Sequence, residues 1–152
     1  MDTGHFYFLK PEYSTQFEFS QFMNNHDDER NRPYFCAFKQ ENIYWLIPIS
    51  SKLAKFERVY HSKLDKYGKC DTIDFCEVLG RRKAFLIQNM CPVTPEYVLN
   101  EYCDSDGRPV QIADKSRKRI TSRAKKVLAL QRKGNNLIFG DVFTIENELA
   151  HR

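Results

Sequence analysis

The stretch YFCAFKQENIYWLIPI, residues 34–49, decides the fold because it holds two apolar, aromatic runs separated by four polar residues. Runs of this length around a short polar loop are typical of a β-hairpin. YFCAF and IYWLIPI are therefore predicted to be central strands of a sheet, with the hairpin loop at KQEN.

The segment before this hairpin predicts a strand and then a short helix or turn, and the segment after it predicts a helix. GHFYFLK, residues 4–10, predicts a first strand that Pro11 ends, and PEYSTQFEFSQFM predicts a short helix or turn. Residues 24–33 have the polar composition of an exposed loop. After Ser51 the apolar residues recur every 3.6 positions until Gly68, which predicts a helix of about four turns with a glycine C-cap.

The second half of the chain predicts another hairpin and three more helices. TIDFCEVL and KAFLIQ are strand candidates around a turn at GRR, and a short helix is expected at residues 96–102. A long basic helix runs to Gly134, and a terminal helix follows with Asp141 or Thr144 as its cap. Four or five strands in hairpins, interleaved with helices, predict an α+β fold with an antiparallel sheet in a single domain, residues 1–152.

The composition argues against a membrane-spanning protein and against a disulfide-rich secreted protein. No window approaches the roughly 20 apolar residues of a bilayer span, and the amino terminus lacks a signal-peptide pattern, so a cytoplasmic protein is expected with no membrane partner. The five cysteines are scattered and include no C-x-x-C pair. They are predicted to be reduced packing residues, and no metal or cofactor is expected.

The positive charge is concentrated in one strip. Residues 115–133 contain nine Lys or Arg and no acid, although the formal net charge of the chain is only +4. Such a strip is typical of a polyanion-binding surface, whereas a merely solvated helix face would mix the two signs. The predicted RNA-binding residues of the strip are Lys115, Arg117, Lys118, Arg119, Arg123 and Lys126.

The start of the first long helix is unusual. Ser50 and Ser51 follow the most apolar strand, and Lys52 and Lys55 come next, although a helix amino terminus favours acids by roughly 0.3–1 kcal/mol. Spacing of i,i+4 along a helix would place Lys55 beside Ser51. Backbone N–H groups, a hydroxyl and ammonium groups then form a phosphate site; the alternative is a serine N-cap with solvated lysines.

Two further basic patches accompany this motif. Arg30 and Arg32 precede Tyr34 in the segment ERNRPYF, a combination that suits phosphate contact and base stacking, unless the arginines pair with neighbouring acids. Arg81 and Arg82 are expected to be exposed on the turn of the second hairpin.

If the phosphate belongs to RNA, cleavage needs no metal. The ribose 2′-OH can attack its own phosphate when a protein positions it, removes a proton and neutralises the developing oxyanion. Serine and lysine suit the last task. No strong general base is identifiable; of the four widely separated histidines, His61 on the lysine-bearing helix is the nearest candidate.

The motifs, in order, are similar to a known family. GHFYFLK, NRPYF, YWLIPISSK, KAFLIQNMCPV and KKVLALQRKG together resemble the toxins of type III toxin–antitoxin systems, the ToxN and AbiQ group, and its CptN-type branch most of all. The resemblance covers nearly the whole chain. IPISS followed by lysine, and FLIQNMCPV, are its most specific parts.

The resemblance implies a metal-independent endoribonuclease with a strongly twisted antiparallel sheet wrapped by helices, like the Kid and MazF toxins. Such toxins leave a 2′,3′-cyclic phosphate. They process a small structured RNA antitoxin, which then inhibits them in a toxin–RNA hetero-oligomer. By similarity Ser50 and Ser51 fall on the catalytic pair, with Ser51 the better match, and Tyr13 falls on a family tyrosine. NRPY lies on the stretch where the family carries nucleic-acid-contacting residues, and Tyr13 is predicted to bind RNA as well. The family's lysine follows a proline that is absent here, so Lys52 and Lys55 both remain candidates.

Two other classes compete with this hypothesis. A non-catalytic RNA-binding module would use the serines as caps and the lysines only to hold the backbone. A structural nucleoid or ribosomal protein would need only the basic helix, and it leaves the serine–lysine helix start unexplained.

Overall fold

The computed structural model describes residues 1–17 and 32–152, and within them the chain folds as seven strands and four helices. The strands are β1 (Phe6–Leu9), β2 (Tyr34–Gln40), β3 (Ile43–Ser50), β4 (Asp74–Val78), β5 (Arg81–Phe85), β6 (Cys91–Val93) and β7 (Val98–Glu101). The helices are α1 (Pro11–Gln16), α2 (Leu53–Tyr67), α3 (Asp114–Arg132) and α4 (Val142–Ala150). The predicted α+β class with an antiparallel sheet is confirmed.

The sheet is built around the β2–β3 hairpin that the sequence predicts. Its strand order is β4-β5-β3-β2-β1-β7, and β6 pairs with another part of β3. β3 can serve three partners because it is eight residues long and buried throughout, as its apolar sequence requires. β5 pairs with β4 along its length, but it contacts β3 only at the last residues of β3, where Ser50 lies opposite Ala84. The end of β3 is therefore enclosed between β2 and β5.

Two apolar clusters hold the helices on the sheet. The larger contains the buried faces of α3 and α4 together with the aromatic side chains of β1, β2 and β3, among which Trp45 is fully buried. The smaller lies under α2 and joins Phe56 to Ile73 and Leu86. α2 ends where expected, since Gly68 adopts the left-handed conformation and its N–H bonds to the carbonyl of Leu64.

Several local predictions were wrong. Residues 96–102 do not form a helix: a 3-10 turn ends at Tyr97 and β7 follows, because this segment completes its backbone hydrogen bonds against β1. The second hairpin turns at Leu79 and Gly80, so Arg81 and Arg82 lie in β5 and not in the turn. With β6 and β7 included, the described strands number seven and not four or five.

Within the described residues, no helix is both long enough and apolar enough to cross a membrane. All five cysteines are free, and Cys103 is the exposed one. The prediction of reduced packing cysteines agrees with the burial of the other four.

Candidate active site and nucleic-acid interface

The site is built where β3 ends. Ser50 is buried against β5, and its hydroxyl accepts a hydrogen bond of 3.2 Å from the N–H of Lys52. Ser51, the next residue, is exposed, so the chain presents one of its two serines to solvent.

Ser51 has a basic partner that the sequence did not suggest. Lys83 of β5 donates a hydrogen bond of 2.6 Å from its Nζ to the Ser51 Oγ. The contact follows from the sheet order, because the pairing of Ser50 with Ala84 brings Lys83 level with Ser51. Since the hydroxyl oxygen accepts from Lys83, its own proton remains available to a ligand.

Arg32 adds a second cation from the opposite side of β3. The N–H of Ile49 donates to the carbonyl of Pro33, which places Arg32 beside the end of β3. The Arg32 Nη1 donates to the carbonyl of Ile49 at 3.1 Å. Its Nε is buried and has no hydrogen-bond partner among the described residues, although buried guanidinium N–H groups normally have one.

The start of α2 completes the site and corrects the predicted geometry. The helix begins at Leu53, with Lys52 at its N-cap, so Ser51 lies outside the helix and has no i,i+4 relation to Lys55. The Lys55 Nζ lies 5.2 Å from the centroid of the Phe56 ring. Lys83, and not Lys55, is therefore the lysine that contacts Ser51.

Lys52 keeps a place at this end of the sheet. It is exposed at the N-cap of α2, whose first turn contains no acid, as the sequence indicated. An amino-terminal turn without acids leaves the partial positive charge of the helix unbalanced. Ser51, Lys52, Lys83 and Arg32 thus form a strand-end site that combines a hydroxyl, three cationic side chains and a helix amino terminus.

The basic strip is more strongly neutralised than its sequence indicates, because acids from elsewhere in the chain reach it. Arg119 and Arg123 both bind Asp74 of β4, at 3.0 and 2.9 Å, and Lys126 binds Asp71 at 2.8 Å. Residues 115–133 contain no acid, but in the folded protein acids of other elements neutralise part of the strip. The strip residues with no acid partner among the described residues are Lys115, Lys125 and Lys133.

The amino-terminal end of the strip is paired locally. Arg117 and Lys118 both contact Asp114 in the first turn of α3, and these side chains are exposed. Both cations hold the pKa of Asp114 below its usual value, the Arg117 hydrogen bond most strongly. Exposed pairs of this kind contribute little to stability and open readily for another anion.

The predicted tyrosine surfaces are buried. Tyr13 is the buried residue of α1 and donates a hydrogen bond of 2.5 Å to the carbonyl of Pro92, while Tyr34 lies in the core of the sheet. Their rings do not form stacking surfaces in this structure, because each is needed in the apolar core. Arg30 lies outside the described residues.

The two arginines that were predicted on the turn of the second hairpin lie on opposite faces of β5. Arg81 and Arg82 are both exposed, but neighbouring residues of a strand point to opposite faces. The Arg82 guanidinium lies 4.8 Å from the centroid of the Phe75 ring and its Nε is 3.7 Å from Glu57.

None of the described histidines contacts the strand-end site by a hydrogen bond. The His5 Nδ1 lies 2.6 Å from the Glu101 Oε1, and these two with Asp2 form the one cluster of potential metal ligands within the described residues. His151 contacts the carbonyl of Asn147. His61 lines a cleft beside α2 together with Phe75.

No protein-family model and no curated protein matches the chain.

The chemistry available at the strand end is anion binding. The Lys83 ammonium and the Arg32 guanidinium offer cationic N–H donors, and the Ser51 hydroxyl donates one more hydrogen bond. A phosphodiester has two non-bridging oxygens that suit such a set of donors. The site can therefore hold a phosphate and stabilise charge that develops on it.

Proposed function

We propose that this protein is an endoribonuclease toxin of the type III toxin–antitoxin kind, which cleaves RNA at the strand-end site. The observation that carries the proposal is the contact between Lys83 and Ser51 at 2.6 Å, with Arg32 and its unpartnered Nε on the other side of β3. The motif resemblance supports the same site, since it falls on Ser50 and Ser51.

The proposed reaction is a transesterification within the RNA. The ribose 2′-oxygen forms a bond to the adjacent phosphorus and the bond from phosphorus to the 5′-oxygen breaks, which leaves a 2′,3′-cyclic phosphate and a 5′-hydroxyl. One proton leaves the 2′-OH and one is delivered to the 5′-oxygen. Lys83 and Arg32 stabilise the charge on the non-bridging oxygens, and Ser51 donates a hydrogen bond to one of them.

The helix start gives the phosphate a second set of donors. Lys52 lies at the N-cap of α2, next to Ser51 in the chain, and the first N–H groups of a helix have no partners within it. Lys52 is therefore the better placed of the two lysines that the sequence left open. Lys55, on the first turn of α2, is assigned to backbone contacts along the RNA.

The partner in this proposal is a small, structured, pseudoknot-like RNA antitoxin. The toxin processes this RNA and is then inhibited by it in a toxin–RNA hetero-oligomer, in the cytoplasm and in a role such as phage defence. The exposed cations that have no acid partner in the described part of the chain, Lys115 and Lys125 among them, supply backbone contacts away from the scissile phosphate. The antiparallel sheet with helices fits a Kid- and MazF-like fold, which forms part of the proposal.

Expression without an RNA partner separates a nuclease from a non-catalytic RNA-binding module. Wild type is expected to arrest growth, whereas Ser51→Ala and Lys83→Met are not, since loss of one oxyanion donor lowers kcat by about 10²–10³-fold. Lys39→Met is the matched control: this lysine lies over the Tyr44 ring on the β2–β3 hairpin, away from the end of β3, and the variant should remain toxic.

Purified protein tests the chemistry directly. Cleavage of a labelled RNA should yield cyclic phosphate ends and continue in EDTA. Loss of activity in EDTA would show that a metal takes part. Equal toxicity of wild type, Ser51→Ala and Lys83→Met would refute the site, and RNA binding without any cleavage would favour the binding module.

A further inference from the structure

The cleft that His61 and Phe75 line has a volume of ≈ 330 Å³ and lies beside the edge strand β4, between α2 and α3. Its lining includes Glu57, Tyr60 and His61 of α2, Phe75 of β4 and Arg82 of β5. The chemistry of the strand-end site uses none of these residues.

The cleft has an aromatic wall. Tyr60 and Phe75 pack edge to face with ring centroids 5.5 Å apart, and both are only partly buried. The Arg82 guanidinium lies 4.8 Å from the centroid of the Phe75 ring. Aromatic rings and guanidinium planes are the surfaces on which single-stranded RNA bases stack.

The back of the cleft is held rigidly. Arg123 of α3 donates a hydrogen bond of 2.9 Å to the buried carboxylate of Asp74, and both residues line the cleft. Asp74 is engaged by two arginines and by the N–H of Phe75, so it is not free to bind a ligand. The wall that carries Phe75 is therefore fixed in place before a ligand arrives.

Glu57 is the acid of the cleft that a ligand can reach. Its ion-pair partner among the described residues is Arg82, whose Nε lies 3.7 Å away, and the two side chains are 44% and 55% exposed. A pair at this distance and exposure is weak and opens at little cost. Glu57 can therefore exchange Arg82 for another donor.

We propose that this cleft binds one unstacked guanine of the RNA, an inference that rests on the proposed RNA-directed function. Guanine presents two adjacent donors, N1–H and the N2 amine, on its Watson–Crick edge, and a carboxylate accepts both at once. Adenine presents one donor there, and uracil presents one beside two acceptors that Glu57 would repel. The base stacks on the surface made by Phe75, Tyr60 and Arg82 while Glu57 selects it.

Fluorescein-labelled hexanucleotides of 2′-deoxy type test this directly, because they lack the nucleophilic hydroxyl and are not cleaved. The sequences TTGTTT and TTATTT differ in a single base. Wild type should bind the guanine form at least about fivefold more tightly, the lower end for one bidentate base contact. Inosine in place of guanine, which lacks the N2 amine, should bind with intermediate affinity.

Glu57→Gln should bring the two Kd values together without weakening binding of TTATTT, because the change also removes a negative charge. Glu148→Gln makes the same change in charge on the exposed face of α4 and should keep the preference. Arg82→Lys should weaken binding of both oligonucleotides through loss of the planar surface, whereas Arg81→Lys, on the other face of β5, should not. Thermal melts confirm that each variant is folded.

Equal binding of the two oligonucleotides by wild type, or an unchanged preference in Glu57→Gln, would overturn the inference. The test does not depend on turnover. Guanine preference without cleavage would support the guanine site in the cleft and refute the proposed nuclease activity. Cleavage without guanine preference would support the nuclease activity and refute the guanine site.

Discussion

Replacement of Asp74 by Asn should separate the structural role of the basic helix from its proposed role in RNA binding. Asp74 is 5% exposed and ties β4 to α3. Its Oδ1 accepts from Arg119 at 3.0 Å and its Oδ2 from Arg123 at 2.9 Å, and the N–H of Phe75 donates to Oδ1 at 2.7 Å. Asparagine keeps the shape of the side chain, but it replaces one acceptor oxygen by an NH₂ group that faces a guanidinium.

The expected loss of stability follows from these contacts. A hydrogen bond to a charged group contributes about 1.5–3 kcal/mol. Two such bonds are weakened, and both arginines are about a third exposed, which lets water replace part of the interaction. A decrease of about 2–4 kcal/mol in the free energy of unfolding is expected, which for a chain of this size lowers Tm by about 5–15 °C.

Asp71→Asn is the matched control for this change. It alters the charge equally, but within residues 1–17 and 32–152 Asp71 forms an ion pair only with Lys126, whose side chain is 51% exposed. The expected cost is at most about 1 kcal/mol, as for other exposed pairs. Urea titration of the wild type and both variants compares the free energies of unfolding directly.

The same variants report on RNA binding. Asp74→Asn releases two guanidinium groups, so the dependence of log K on log salt should steepen by up to about 0.7 for each one that reaches a phosphate of single-stranded RNA. Equal stability of the Asp74 and Asp71 variants would refute the structural role of the buried carboxylate. An unchanged salt dependence would show that Arg119 and Arg123 do not face the RNA.

The two remaining predictions concern the cysteine thiols. With Ellman's reagent at pH 8, one thiol of the native protein should react rapidly, and the other thiols should react only on unfolding. Cys103→Ser should abolish the rapid phase. Rapid reaction of a second thiol would contradict the burial of the other four cysteines. Burial raises the pKa of Cys36 and Cys91 from 9.0 to about 12, so above pH 9 the unfolded chain loses these protons first and stability falls as pH rises. Cys36→Ala should reduce the slope of unfolding free energy between pH 10 and 11 by up to about 1.4 kcal/mol per pH unit; an identical slope would refute this cause.

The parts of the fold that the sequence predicted are those with strong local signals. The β2–β3 hairpin has apolar runs of strand length, and α2 has a clear helical period that ends at a glycine. The segment at residues 96–102 was misassigned because its partner, β1, lies about 90 residues earlier in the chain. Pairing over such a distance leaves no local pattern, and a tyrosine-rich segment after proline suits a short helix as well as an edge strand.

Only part of the strand-end site could be predicted from the sequence. Two serines after a buried strand, followed by lysines, are visible in the sequence, but Lys83 is 32 residues away from Ser51. Only the pairing of β5 with the last residues of β3 brings them together. The neutralisation of α3 was hidden for the same reason, since Asp74 is separated by 45 and 49 residues from its two arginines.

The two sets of cations in this protein are arranged for different purposes. Arg119 and Arg123 face a buried carboxylate, and this arrangement stabilises the fold. Lys83 and Arg32 flank the end of β3 and Lys52 is the N-cap of a helix whose first turn contains no acid, so mutual repulsion there opposes folding. A natural sequence carries such a local conflict mainly where function requires it. An RNA phosphate at the end of β3 would relieve that repulsion, so the unfavourable charge at the start of α2 and the proposed cleavage site have one explanation.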